Sequence, residues 1–161
     1  FGNNNAYCQD NETSWFNWGL VDTHADVHRF VTLLNARRRL RNTEIERQRI
    51  SLNRLLRGTN LQWHGVKVGQ PDWRTSSHSI ALTVEMPDER STVHLIANAY
   101  WEALDFELPL VDRTGENLWR RWIDTALESP NDIVPWNTAA SVPGYAYRAA
   151  AHSVVVLFVG L

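Results

Sequence analysis

The sequence predicts a mainly β protein: an antiparallel β-sandwich of Greek-key type forming the C-terminal part, preceded by two helices. Three observations carry this. Two N-terminal segments repeat apolar residues at helical spacing behind helix-start signals. From about residue 60 onward the apolar period shortens to two. The alternating runs that follow are short and are separated by Pro-, Gly- and Asn-containing turn signals, the pattern of a sandwich or barrel.

The first helix is expected over 23–39. Thr23-His-Ala-Asp26 is a Thr-x-x-acid start signal, and Val27, Phe30, Val31 and Leu34 then form one apolar stripe. Arg37, Arg38, Arg39 and Arg41 crowd its end, where the helix dipole favours cations. Such a stripe calls for a partner surface, either the rest of this chain or a second copy. A second helix is expected over 44–57, from Thr43-Glu-Ile-Glu46, the spaced Ile45, Leu52, Leu55 and Leu56, and the stop at Gly58. Its arginines at 47, 49, 54 and 57 read as a solvated face rather than a nucleic-acid-binding one, because glutamates are interspersed and the whole chain is acidic.

The strands follow in order. Ile80, Leu82 and Val84 alternate with Ala81 and Thr83; Val93, Leu95 and Ala97 alternate with His94 and Ile96. Leu104, Phe106 and Leu108 alternate with Asp105 and Glu107, and Val154, Val156 and Phe158 lie on a strand that is apolar on both faces. Trp119 and Trp122 are placed on one more strand and residues 145–148 on another. The turn signals are Met86-Pro-Asp-Glu89, Pro109, Thr114-Gly115, Ser129-Pro-Asn131 and Pro143-Gly144.

Composition narrows the function classes. A chain of 161 residues buries one good core, and 43% apolar with 21% charged residues is ordinary globular usage. No run of eighteen apolar residues exists to span a membrane, and a net charge of −2 gives no general reason to bind nucleic acid. The lone cysteine, Cys8, has no internal disulfide partner, which suits the cytoplasm. Phe1 is not an initiator methionine and no signal peptide precedes it, so a piece of a longer protein is expected.

Metal and nucleophile chemistry find little support. His24 and His28 are four apart on the first helix, but Ala25 stands where a zinc-protease pattern has Glu and no third ligand is apparent. Asp10, Glu12 and their neighbouring asparagines lack the spaced pattern of a calcium loop. Cys8 has no histidine partner and is expected as a buried, inert thiol. No serine elbow occurs. No cofactor is called for.

The opening stretch, residues 1–18, suits neither helix nor strand. Asn3, Asn4, Asn5, Gln9 and Asp10 favour turns, yet Tyr7, Trp15, Phe16 and Trp18 are too many aromatics for a linker. Amides and carboxylates beside flat rings suit a sugar ligand, but on residue types alone a structured connection whose amides serve its own turns is the favoured reading. Eight tryptophans (15, 18, 63, 73, 101, 119, 122 and 136) raise the same pair of readings. Most are expected inside the sandwich. Trp63 and Trp73, flanking a Gly- and Pro-containing segment expected to be irregular, are the candidates for surface sugar contact.

Gly2-Asn-Asn-Asn-Ala-Tyr-Cys-Gln-Asp-Asn-Glu12, with Trp15 and Trp18, resembles the loop after the eighth barrel strand of bacterial glycogen debranching enzymes, the isoamylase type within the α-amylase superfamily of glycoside hydrolases. The segments from Trp63 to Trp73, His94 to Pro109, Trp119 to Ala126 and Arg148 to Leu157 resemble later parts of the same enzymes, in the same order. The resemblance implies that residues 1–42 are the rim loop and last helix of a (β/α)8 catalytic barrel, and that 43–161 are a C-terminal β-sandwich domain with a leading helix. It implies a parent that hydrolyses α-1,6 branch linkages in glycogen or limit dextrin by the superfamily's retaining mechanism. The catalytic carboxylates would lie upstream of Phe1, leaving this chain inactive alone as a structural accessory. Asn3, Asn4, Asn5, Tyr7, Gln9 and Asp10 would be substrate-binding residues of the barrel rim. Without the barrel that loop is expected to be mobile or rearranged, and the orphaned helix would be free to self-associate. The rival from another class is a non-catalytic carbohydrate-binding or interaction module.

Overall fold

The computed structural model describes residues 7–12, 14–39, 60–86, 90–111 and 118–160. Helices α1 (Leu20–Thr23) and α2 (Ala25–Arg39) lead into strands β1 (Asn60–His64), β2 (Ser79–Met86), β3 (Ser91–Asn98), β4 (Leu104–Glu107), β5 (Arg120–Asp124), β6 (Ala146–Ala149) and β7 (Ser153–Gly160). One sheet runs β1-β2-β3-β7-β5 and the other pairs β4 with β6, with every pairing antiparallel. The last long strand, β7, thus returns to lie between β3 and β5. The helix expected over 44–57 lies outside the described residues.

Period-two alternation gives the large sheet two different faces. On the inner face Ala81, Ile96, Val155 and Leu157 meet Phe106 of β4 and Ala149 of β6, with Leu108, Trp119 and Val142 closing the core between the two sheets. The indole of Trp119 is buried and donates to the Pro109 carbonyl at 2.9 Å. Asn98, also buried, holds the ends of the sandwich together. Its amide lies 2.9–3.2 Å from the carbonyls of Glu102, Ala149 and Ala150, while its oxygen accepts from the Tyr100 N–H.

The outer face is apolar too, which explains why β7 reads as apolar on both sides. Phe30 and Leu33 of α2 pack with Ile123, Ile133, Val156, Val93, Leu95 and Trp122 in a second core. Arg29 fixes the helix there. Its guanidinium pairs with Asp132 and donates to the Ile133 carbonyl at 2.9 Å and to the Ser129 hydroxyl at 3.1 Å. One turn beyond Leu33, Arg37 lies over the Trp136 ring, 4.3 Å from its centroid, and that ring stacks on Phe158. The molecule is therefore layered as helix, five-stranded sheet and two-stranded sheet.

The structure corrects several expectations. Helical bonding starts before Thr23, with the His24 N–H donating to the Leu20 carbonyl; the Thr23 hydroxyl bonds back to Gly19 rather than capping a start. Only Phe30 of the expected stripe faces the sheet, joined by Leu33, while Val27, Val31 and Leu34 remain 55%, 48% and 37% exposed. The sandwich has room for only one row of that helix. The Gly- and Pro-containing segment that Trp63 and Trp73 flank is irregular as expected, with Trp63 itself on the edge strand β1. Most tryptophans are not inside: Trp119, Trp122 and Trp136 pack internally, whereas Trp15, Trp18, Trp63, Trp73 and Trp101 are exposed. Cys8 is likewise exposed rather than buried, since the loop around it has no core to enter. No helix among the described residues is long and apolar enough to cross a membrane.

Candidate functional site

Trp63 and Trp73 are ten residues apart in sequence and meet in space. Their ring centroids are 5.6 Å apart with planes inclined by 70°, an edge-to-face contact. Trp63 pairs with Leu82 across β1 and β2, so it shares the outer face with Leu95 and Val156. Trp73 comes from the loop between β1 and β2. The two indoles remain 45% and 64% exposed. Asp72 and Arg74, which flank Trp73, form a two-pronged ion pair at 2.9 and 2.7 Å, and the Arg74 N–H also donates to Asp72. These bonds from Arg74 hold the Asp72 carboxyl down at about 2. Pattern reading missed this pair; the charges two apart around an aromatic were its only trace.

The loop carrying Trp73 is pinned from beneath. Gly65 approaches Gln70 so closely that a Cβ there would lie 2.4 Å from the Gln70 carbonyl oxygen. Gly69, at φ +70°, donates its N–H to His64 Nδ1 at 2.8 Å. The Val68 N–H donates to the Glu107 carboxylate of β4 at 3.2 Å, and the Glu107 N–H to the Val66 carbonyl at 2.9 Å.

His64 opens a buried chain of polar groups on the inner face. Its Nε2 lies 2.8 Å from the Thr83 hydroxyl, which lies 2.9 Å from His94 Nδ1. Because His64 Nδ1 accepts from Gly69, its Nε2 carries the proton and donates to Thr83; Thr83 in turn donates to His94. His94 Nε2 then carries a proton that has no polar partner and lies in a ring packed 5.6 Å from that of Trp119. Burial, with repulsion from His64 adding to it, pushes the His94 pKa down to about 3, and burial lowers that of His64 as well. Both rings are therefore neutral at neutral pH, so this chain is a structural one that sets the loop above it.

Other candidates are engaged elsewhere or lie apart. Asn3, Asn4 and Asn5 fall outside the described residues. Tyr7 is exposed, the Asp10 carboxylate accepts from the Trp15 indole at 2.8 Å, and Gln9 accepts from the Asn11 amide at 3.0 Å. Phe16 and Trp18, both exposed, pair edge to face at 4.9 Å. Trp63 and Trp73 thus come together, while no described contact brings the opening loop to them. His24 and His28 are exposed, and among the described residues no three metal-ligating side chains cluster. An open cleft of about 300 Å3 lies beside Arg121, Ser141, Tyr147 and Arg148. Two of its polar groups are already engaged: the Tyr147 hydroxyl donates to Asp124 at 2.6 Å, and Arg148 pairs with Asp105 at 2.9 Å. Burial and then the Asp124 bond push Tyr147 up to about 12.

The family model described as "Isoamylase 1-3, C-terminal" matches residues 62–156, which runs from β1 into β7. The chain is 30% identical over 135 residues to isoamylase SU1, chloroplastic, of Zea mays, covering 83% of this chain and 16% of that protein. It is 30% identical over 159 residues to isoamylase 3, chloroplastic, of Oryza sativa subsp. japonica, covering 98% and 18%. A stretch of 30 residues, 19% of this chain and 4% of the other, is 60% identical to the glycogen operon protein GlgX homolog of Mycobacterium tuberculosis. The chain thus spans about a sixth of the length of these plant relatives. Plant and bacterial proteins both appear, so the match is to the isoamylase type as a whole rather than to its bacterial members. A family match across most of the sandwich, in a chain whose strands follow the expected order, places this protein in the isoamylase C-terminal domain family, the C-terminal part of isoamylase-type debranching enzymes.

Proposed function

We propose that this chain is the C-terminal portion of an enzyme that hydrolyses α-1,6-glucosidic branch linkages in glycogen or limit dextrins, and that it serves as a structural accessory. One observation carries the reading: α2 has two apolar faces and the described residues cover only one. Phe30 and Leu33 lie on the sandwich, while Val27, Val31 and Leu34 stand exposed at i, i+4 and i+7. A helix apolar on two sides belongs between two bodies. The second body in this reading is the catalytic barrel, with residues 1–42 as its last part and 43–161 as the sandwich domain. Trp15, Phe16 and Trp18, just before α1, are exposed as well and add apolar surface for such a body to cover.

Retaining glycoside hydrolysis needs two carboxylates about 5–5.5 Å apart, one as nucleophile and one as acid/base. In this reading both stand on barrel strands upstream of Phe1. Asn3, Asn4, Asn5, Tyr7, Gln9 and Asp10 line the glucan cleft at the barrel rim. The compartment we read as the cytoplasm, on the free thiol of Cys8. The test is direct. Limit dextrin incubated with the pure chain should release no oligosaccharide, whereas the same chain joined to its upstream sequence should release linear glucans. Release by the chain alone, or none by the joined protein, overturns the proposal. An upstream frame lacking a barrel would favour a carbohydrate-binding module, the reading that the exposed Trp63–Trp73 pair also suits.

A further inference from the structure

We infer that Trp63 and Trp73, with the Asp72–Arg74 pair beside them, form a binding site for the chain of an α-1,4-linked glucan. The ligand class rests on the debranching reading; the site itself rests on geometry. Two large indoles exposed together are costly to leave in water, and nothing in the described chain covers them. Their planes are inclined by 70°, so they form a corner rather than a flat platform. An α-1,4 glucan turns as it runs, and successive glucose rings present their apolar C–H faces at changing angles. A corner of two rings matches that curvature, whereas a straight β-linked glucan would need coplanar rings.

The polar groups fit the same ligand. Asp72 and Arg74, on either side of Trp73 in the chain, hold each other through three bonds, and the Arg74 side chain stays 79% exposed. A carboxylate and a guanidinium with spare acceptors and donors suit vicinal hydroxyls. The corner is also built before any ligand arrives. Trp63 stands on a hydrogen-bonded strand, and Trp73 follows a loop fixed by the Gly65–Gln70 approach, the Gly69–His64 bond and the Val68–Glu107 bond. Preorganised rings lose little entropy on binding. The small area, two rings with charges at their border, suits an oligosaccharide better than a protein interface, which needs about 800 Å2 per partner.

Affinity electrophoresis of this chain through gels containing glycogen tests the inference. Retarded migration is expected, relieved by maltoheptaose and not by a cello-oligosaccharide. Trp63→Ala and Trp73→Ala should each weaken retention about tenfold or more, and the double variant should migrate as in a glycogen-free gel. Trp73→Phe should keep part of the retention. Near-UV circular dichroism checks folding; since Trp73 lies in a loop, its variants remain informative if Trp63→Ala unfolds. An unretarded wild type, a double variant retarded as strongly as wild type, or equal competition by the cello-oligosaccharide overturns the site. Debranching by the whole protein is measured separately. An active parent with tryptophan-independent retention sinks this inference alone, and an inactive parent with tryptophan-dependent retention sinks the debranching reading alone.

Discussion

His94 and Asn98 sit on the same strand, both buried, and answer the problem of buried polarity in opposite ways. Asn98 is fully engaged, with four backbone partners on two stretches of chain. Asn98→Ala strands those carbonyls and the Tyr100 N–H inside the protein, and is expected to cost about 2–3 kcal/mol in urea denaturation; a loss below 0.5 would show that water replaces the amide at about no cost. His94 keeps one ring nitrogen without a polar partner and cannot accept a second proton cheaply. Its pKa is about 3 in the fold and has an ordinary value of 6.5 in the unfolded chain. Between those values the unfolded state binds the extra proton, so stability falls as pH drops from about 6.5 and levels off below 3, by up to about 1.4 kcal/mol per pH unit. Urea midpoints between pH 7 and pH 4 should show that slope, and His94→Gln should flatten it.

Among elements, α2 is docked by the apolar contacts of Phe30 and Leu33 and by the polar contacts of Arg29. Arg29 supplies the ion pair and the carbonyl contacts that join the helix to residues 129–133. Arg29→Ala is expected to destabilise by about 2 kcal/mol, since Asp132 is left partly buried and unpaired. Amide exchange should speed up in α2 first; equal acceleration in β7 would mean the helix does not open separately. Strands β2, β3 and β7 were legible because apolar alternation follows directly from half-buried or fully buried sheet geometry. Strand β1 was not. Its inward side chain is a histidine, His64, and its apolar Leu61 and Trp63 face outward, so its pattern runs inverted to the usual one. The helix was legible in existence but not in facing: Phe30 serves the sandwich with Leu33, and the more regular row through Val27, Val31 and Leu34 does not. The Trp63–Trp73 contact also lay beyond pattern reading, because a loop's path decides whether residues ten apart meet.

At the scale of the whole molecule, that leftover row is the feature to probe. Val31→Glu with Leu34→Glu changes only exposed positions here, so the isolated chain should keep its stability within about 0.5 kcal/mol. Placed in the longer parent protein, the same pair should lower the melting temperature and loosen the catalytic part, because two carboxylates would then be buried without partners. A parent insensitive to both substitutions would mean that the row faces water there too. In this chain alone, sedimentation should reveal whether copies associate through the row, with the double glutamate variant dissociating any dimer.

The layered arrangement sets a limit on how such proteins can be recombined. By sequence order α2 precedes the sandwich and reads as the tail of something else, yet its Phe30 and Leu33 complete the second core with Ile123, Ile133 and Val156. A cut placed after the helix, at the apparent border near residue 42, would separate Phe30 and Leu33 from the core they complete. Expressed from residue 43, the sandwich should be poorly soluble, with the outer face of β3, β5 and β7 laid open. A domain exchange between relatives that carries α2 along should fold, because the helix travels with the sheet it covers. Structural inheritance in this chain therefore follows the packing of α2, and a graft designed from the border in the sequence alone would part the helix from the core it completes.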